Sequence, residues 1–172
     1  TRNIRCARTA PDSYSSGKYL EEEFLEDLIG VTGGPANLSL ATYAIRESQK
    51  IPQWMSRHGV SWQQPLAGTL NLGRTNRWFL GGGKALANTY YQTAAQMGIR
   101  ILYHAFVGDL IFDDGVFQAA VLHIGQEKEL VGARAVVIAA GGFEANLEWL
   151  ARIWGESAHN FIVRGTPYND GI

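Results

Sequence analysis

Apolar positions recur four apart at Leu20, Phe24 and Leu28 among Glu21, Glu22, Glu23, Glu26 and Asp27, which predicts a short amphipathic helix. Gly33-Gly34-Pro35 breaks it, and a second helical pattern starts near Asn37 with Leu38, Ala41 and Ile45 on one face. Pro52 forces a kink or a new start, after which Trp54 and Met55 continue a short helix towards Gly59. The first seventeen residues are polar and aperiodic, and residues 61–80 mix Gly, Pro and Asn with large aromatics. The latter stretch reads as an ordered loop, and a loop of that length in a compact domain usually carries function.

Beyond Gly81-Gly82-Gly83, Leu86, Tyr90, Ala94 and Met97 form one stripe of a helix over residues 84–97, with Gly98 where a C-terminal cap belongs. Residues 99–103 predict a compact apolar strand. Two strand-like runs, 107–112 and 116–124, are joined by Asp113-Asp114-Gly115, a tight-turn sequence because Asp and Gly tolerate positive φ. A third strand near residues 128–131 completes a three-stranded antiparallel meander. Residues 136–140 are uninterruptedly apolar, as in a strand buried on both faces of a parallel sheet, and are expected to pair in parallel with 99–103. Gly141-Gly142 ends that run, and helix returns over 146–154. The predicted fold class is therefore α/β, with parallel strands, a meander and N-terminal helices.

Composition narrows the function. With 172 residues, 46% hydrophobic and 18% charged, the chain suits one soluble globular domain. Fifteen Lys and Arg oppose sixteen Asp and Glu without a block of one sign, so neither nucleic acid nor an anionic membrane is an expected partner. No apolar run approaches the roughly 20 residues of a membrane span, and no signal sequence opens the chain, so a cytoplasmic location is expected. Cys6 alone excludes an intrachain disulfide, and four scattered histidines give no metal-ligand spacing. Thr1 and Ile172 do not look like natural termini, and a fragment of a longer protein is expected. The 20 glycines gather around 30–34, 81–83 and 141–142, which suggests close backbone approach to a ligand.

Three places could carry chemistry. Open α/β sheets bind ligands beyond the carboxyl ends of their strands, and bare backbone at Gly141-Gly142 would admit a flat or phosphorylated one. A tight strand-to-helix turn explains those glycines equally well. Gly81-Gly82-Gly83, ahead of Lys84, could offer helix N–H groups to an anion, or could merely start a helix flexibly. Neither GxxxxGK[ST] nor GxGxxG is present. Arg74, Asn76 and Arg77 precede those glycines, and two guanidiniums there would suit a polycarboxylate through bidentate pairing, with an ordinary solvated loop as the alternative. Arg2, Arg5 and Arg8 stand alike. His58, His104, His123 and His159 lack spaced partners, and the absence of a GxSxG elbow removes the hydrolase reading.

Taken in order, Gly81-Gly82-Gly83-Lys84-Ala85-Leu86, the helix to Gly98, the meander around Asp113-Asp114-Gly115, Ala139-Ala140-Gly141-Gly142-Phe143-Glu144-Ala145-Asn146 and Arg164-Gly165-Thr166-Pro167-Tyr168-Asn169 resemble the FAD-dependent fumarate reductase/succinate dehydrogenase flavoprotein superfamily. Thr1-Arg2-Asn3-Ile4-Arg5-Cys6 with Arg74-Thr75-Asn76 is most similar to its tricarballylate dehydrogenase branch.

The resemblance implies FAD as cofactor and a partial, Rossmann-like FAD-binding domain. Residues 1–80 would flank flavin and substrate, 81–155 would belong to the FAD-binding domain, and 156–172 would begin the capping region. It implies flavin contacts from Thr1, Arg2, Asn3, Gly82, Gly83, Phe106, Val107, Ala139, Ala140, Gly141 and Gly142. Carboxylate ligands would come from Arg5, Arg74, Asn76, Arg164 and Thr166. The implied reaction oxidises tricarballylate to cis-aconitate, with hydride passing to the flavin. A membrane-bound electron-transfer partner would reoxidise it. The family's glycine-rich dinucleotide unit would precede Thr1 and its proton-transferring base would follow Ile172, so the chain alone is expected to be inactive. The alternatives are a fumarate reductase-like or ketosteroid dehydrogenase-like flavoprotein, or a non-catalytic interaction module docking through Trp54, Trp62, Trp78, Trp149 and Trp154.

Overall fold

The computed structural model describes residues 2–34, 36–65 and 72–160, which form two compact units divided between residues 101 and 102. In the first, β1 (Asn3–Arg5) pairs antiparallel with β2 (Asn76–Trp78), matching Asn3 to Trp78 and Arg5 to Asn76. Three helices lie between them: α1 (Glu21–Thr32), α2 (Leu38–Ser48) and α3 (Ile51–Arg57). Their boundaries follow local chemistry. The Asn37 Oδ1 accepts from the Leu40 N–H at 3.0 Å and caps α2, while Pro52 sits in the first turn of α3, where its missing N–H costs nothing.

Helix α4 (Gly82–Gln96) is longer than the pattern predicted, because Gly81 adopts a left-handed φ of 77° and starts it two residues early. At its far end the Ile99 N–H reaches the Ala94 carbonyl and the Gly98 N–H the Ala95 carbonyl, a Schellman closure on Gly98. Leu86 and Tyr90, one turn apart on α4, pack against a core of Met55, Val60, Trp62 and Phe79, joined by Ile4 and Tyr14. Trp62 also bridges to Phe79 across the chain, so residues 61–80 are not purely loop as the sequence suggested. Three-residue strands are too short to show a period of two, so β1 and β2 leave no pattern in the sequence.

The second unit holds the expected meander: β3 (Ala105–Asp113), β4 (Val116–Ile124) and β5 (Glu127–Gly132), antiparallel in that order. Its first turn pairs Asp113 with Val116 across Asp114 (φ 46°) and Gly115 (φ 74°), the double positive φ of a type I′ hairpin. Register shifts at Gly108 and Gln118 mark two β-bulges. Helix α5 (Leu147–Trp154) is capped by the Asn146 side chain, which accepts from the Trp149 N–H at 3.0 Å, and a 3₁₀ turn, Gly155–Asn160, follows.

One expectation is corrected here. Neither residues 99–103 nor 136–140 form a strand, and both sheets among the described residues are antiparallel. A strand exists only where a neighbour completes its hydrogen-bond ladder, and an apolar run cannot reveal whether that neighbour is there. Val137 is 89% and Ile138 72% exposed, so this segment is not buried on both faces. Among the described residues, no helix is long and apolar enough to cross a membrane.

Candidate functional site

The β1–β2 ladder and the Gly81 turn together shape the first candidate place. The Phe79 N–H donates to the Arg2 carbonyl at 3.0 Å, holding the start of β1 beside the start of α4. Between them opens a cavity of about 530 Å³ lined by Arg2, Gln63, Trp78, Phe79, Gly81, Gly82, Gly83 and Lys84. The first-turn N–H groups of α4 at Gly83 and Lys84 have no intrahelical acceptor, and among the described residues no side chain caps the helix. The Trp78 Nε1 is buried without a partner among the described residues. A Cβ built on Gly82 would meet nothing within 4 Å. The cavity thus gathers hydrogen-bond donors and two cationic side chains around open space, an arrangement for a ligand rich in acceptors. Arg2, Gly82 and Gly83, which the resemblance places at a flavin, line this cavity together with Gln63, which the sequence does not single out, and Trp78, which it offers only for docking.

In the second unit, the start of β3 and the apolar segment 136–140 enclose a cavity of about 550 Å³, lined by Phe106, Val107, Gly108, Val136, Val137, Ile138, Ala139 and Ala140 among others. Four of the residues expected at a flavin, Phe106, Val107, Ala139 and Ala140, meet around this space. At the Gly108 bulge a Cβ would come within 2.7 Å of the His123 ring, which would have to shift to admit a side chain. Gly141 has φ 83°, and a Cβ on Gly142 would stand 2.8 Å from the Glu144 carboxylate, one of whose oxygens is buried without a partner among the described residues.

Arg5, Arg74 and Asn76, expected as carboxylate ligands, also converge. Arg5 and Asn76 are ladder partners, and the guanidiniums of Arg5 and Arg74 each lie 5.7 Å from the centre of the buried Tyr19 ring. Each cation already has a carboxylate of this chain. Arg74 forks onto Glu23, with its Nη1 at 2.9 Å, and Arg5 reaches Asp27 at 3.3 Å. The hydrogen bond from Arg74 holds the Glu23 carboxyl below its ordinary range, and Glu23 in turn raises Arg74. Burial, helped by donation from its hydroxyl to Asp27 at 2.7 Å, pushes Tyr19 up to about 12. The Asn76 amide donates to the Thr75 hydroxyl at 2.9 Å. Thr1, Arg164 and Thr166 lie outside the described residues.

Of the five tryptophans considered as a docking surface, Trp62 is a core residue, and only Trp54, Trp149 and Trp154 are substantially exposed.

Against known proteins, the sequence matches the FAD binding domain family over residues 6–172. The fold is similar to that of 3-ketosteroid-Δ4-(5α)-dehydrogenase from Rhodococcus jostii RHA1, solved in complex with 4-androstene-3,17-dione, with a TM-score of 0.79 and 19% identity. That similarity covers 98% of this chain and 42% of the dehydrogenase, so the chain spans less than half of its length. A search of curated proteins found no match.

Proposed function

From the membership of this chain in the FAD-binding domain family, with FAD as its cofactor, we propose that it serves a dehydrogenase that oxidises a polycarboxylate, tricarballylate to cis-aconitate. The observation that carries this reading is the pair of cationic side chains in each of two cavities of the first unit, Arg2 with Lys84 in one and Arg8 with Arg77, beside Asp12, in the other. A 3-ketosteroid has no anionic group for such walls and would need apolar ones.

The residues present fit the cofactor. The Trp78 Nε1 and the start of α4, neither with a side-chain partner among the described residues, are donors suited to the carbonyls and ring nitrogens of a flavin, at a cavity where the glycines keep side chains out of the way. In this proposal Arg2, Asn3, Gly82 and Gly83 touch the flavin from the first unit, with Thr1. From the second unit, Phe106, Val107, Ala139, Ala140, Gly141 and Gly142 contact FAD, and the apolar cavity beside β3 suits a flat ring such as adenine. When bound, the flavin supplies the hydride acceptor. The chain's own task is to orient the substrate, hold its carboxylates and exclude water. Arg5, Arg74 and Asn76, with Arg164 and Thr166, hold carboxylates in this reading. Arg74 would exchange Glu23 for the substrate, and the internal pairing keeps its fork in place beforehand.

A cytoplasmic location and reoxidation by a membrane-bound electron-transfer partner belong to the same proposal. The test is steady-state turnover of tricarballylate and of a 3-ketosteroid by the complete gene product with FAD bound. Turnover of tricarballylate supports the reading. Turnover of the steroid alone replaces it with the ketosteroid alternative.

A further inference from the structure

Arg77 is the most enclosed cation described, 8% exposed, with its guanidinium 5.3 Å from the Trp62 ring centre and 5.9 Å from that of Tyr14. Its Nη2 donates to Asp12 Oδ2, while its Nε is buried with no partner among the described residues. Those two nitrogens share one edge of the guanidinium, the edge a carboxylate engages with both oxygens, so only half of it is satisfied. A buried donor left unmade is costly, and such a group calls for a ligand or a water.

Arg8 stands on the same cavity, about 380 Å³ in volume. Its three nitrogens donate to the carbonyls of Gly17, Cys6 and Arg74, all neutral acceptors, and among the described residues no carboxylate pairs with it. Two guanidiniums therefore share Asp12 as counter-ion, and burial together with the charge of Arg77 lowers the pKa of Arg8. One net positive charge in a partly enclosed space is balanced by one monoanionic group, and a phosphate dianion would overshoot.

We propose that this cavity binds a carboxylate of a small organic acid, with Arg77 as the residue that recognises it and Arg8 as the second cation. The assignment rests on the polycarboxylate reading above and deepens it: among the cations offered to a carboxylate, it makes Arg77, on the opposite face of β2 from Asn76 and its ladder partner Arg5, the residue that recognises one. Asp12 competes for the same edge of Arg77. Its removal should therefore strengthen binding, an effect opposite to that of damaging a structural ion pair.

The experiment is equilibrium dialysis of tricarballylate against the complete, FAD-loaded gene product and two variants. Arg77→Gln should weaken binding at least about tenfold, the loss of a charge-assisted bond, while Asp12→Asn should tighten it. Flavin absorbance confirms that each variant is folded. Tighter binding by Asp12→Asn supports the site even if Arg77→Gln fails to fold. Weaker or unchanged binding by Asp12→Asn overturns it while leaving the polycarboxylate reading intact, whereas a wild-type protein that binds no tricarballylate removes both. Competition by inorganic phosphate at least as effective as by succinate would overturn the carboxylate assignment.

Discussion

Substituting Gly81 by alanine probes the turn that shapes the proposed flavin cavity, and Gly82→Ala beside it is the control. Both glycines have left-handed backbones, with φ of 77° and 69°. An alanine in that region costs about 1–2 kcal/mol. The two sites differ in space. At Gly81 the new Cβ would stand 2.7 Å from the Cβ of Ala85, and neither atom is the end of a flexible side chain. Carbon atoms prefer about 3.5–4.0 Å, so the first turn of α4 must move by roughly 1 Å, with an overpacking cost of about 1–3 kcal/mol. Gly81→Ala should thus lose about 2–5 kcal/mol and Gly82→Ala only about 1–2 kcal/mol. Urea unfolding of the complete gene product measures both. Flavin retention separates them further, because the Cβ of Gly82→Ala meets no atom of the protein and enters the open cavity, so this milder variant should still bind FAD less tightly. Equal stability for the two variants would refute the steric argument, and undiminished flavin binding by Gly82→Ala would remove this turn from the cofactor site.

Other outcomes follow from the same structure. Gly142→Val should fold, because the Glu144 carboxylate it meets can swing aside, but should purify with less FAD, measured as the flavin-to-protein absorbance ratio. Arg74→Ala should keep its flavin and lose tricarballylate turnover through weaker substrate binding, seen as a raised KM. Cys6 is buried, and desolvation pushes its thiol up to about 11 from 9.0, so the unfolded state releases this proton first and stability falls between those pH values; the decline should shrink in Cys6→Ala, measured by unfolding at stepped pH. In acid the sign reverses. Burial opposes ionisation of Asp12, yet hydrogen bonds from Tyr14 and Ser15 and the charge of Arg77 hold its carboxyl below 3.8, so its contribution is present above that value and is lost as pH falls through the lowered one. Asp12→Asn should flatten that part of the acid unfolding curve.

Local chemistry explains what could be read from the chain. Helices α2 and α5 begin where Asn37 and Asn146 supply a capping oxygen, and the type I′ turn at Asp114-Gly115 is written in two residues. Those signals act over three or four positions and need no tertiary context. The run at residues 136–140 looked like a buried parallel strand because hydrophobicity reports a preference for burial, whereas strand formation depends on a partner that sequence does not name. Arg74 and Arg5 were legible as cations but not as members of ion pairs, since Glu23 and Asp27 lie on a helix distant in sequence. Arg77 stood beside them in the chain. Only folding shows that, of these neighbours, it is the one enclosed by aromatic rings with a donor left open.

The most direct measurement of the central claim is anaerobic mixing of the FAD-loaded gene product with tricarballylate while the visible absorbance of the flavin is followed. Bleaching is expected as the substrate reduces the flavin, slowed in Arg74→Ala and in Arg77→Gln. A flavin that stays oxidised with tricarballylate and bleaches with a 3-ketosteroid would contradict it.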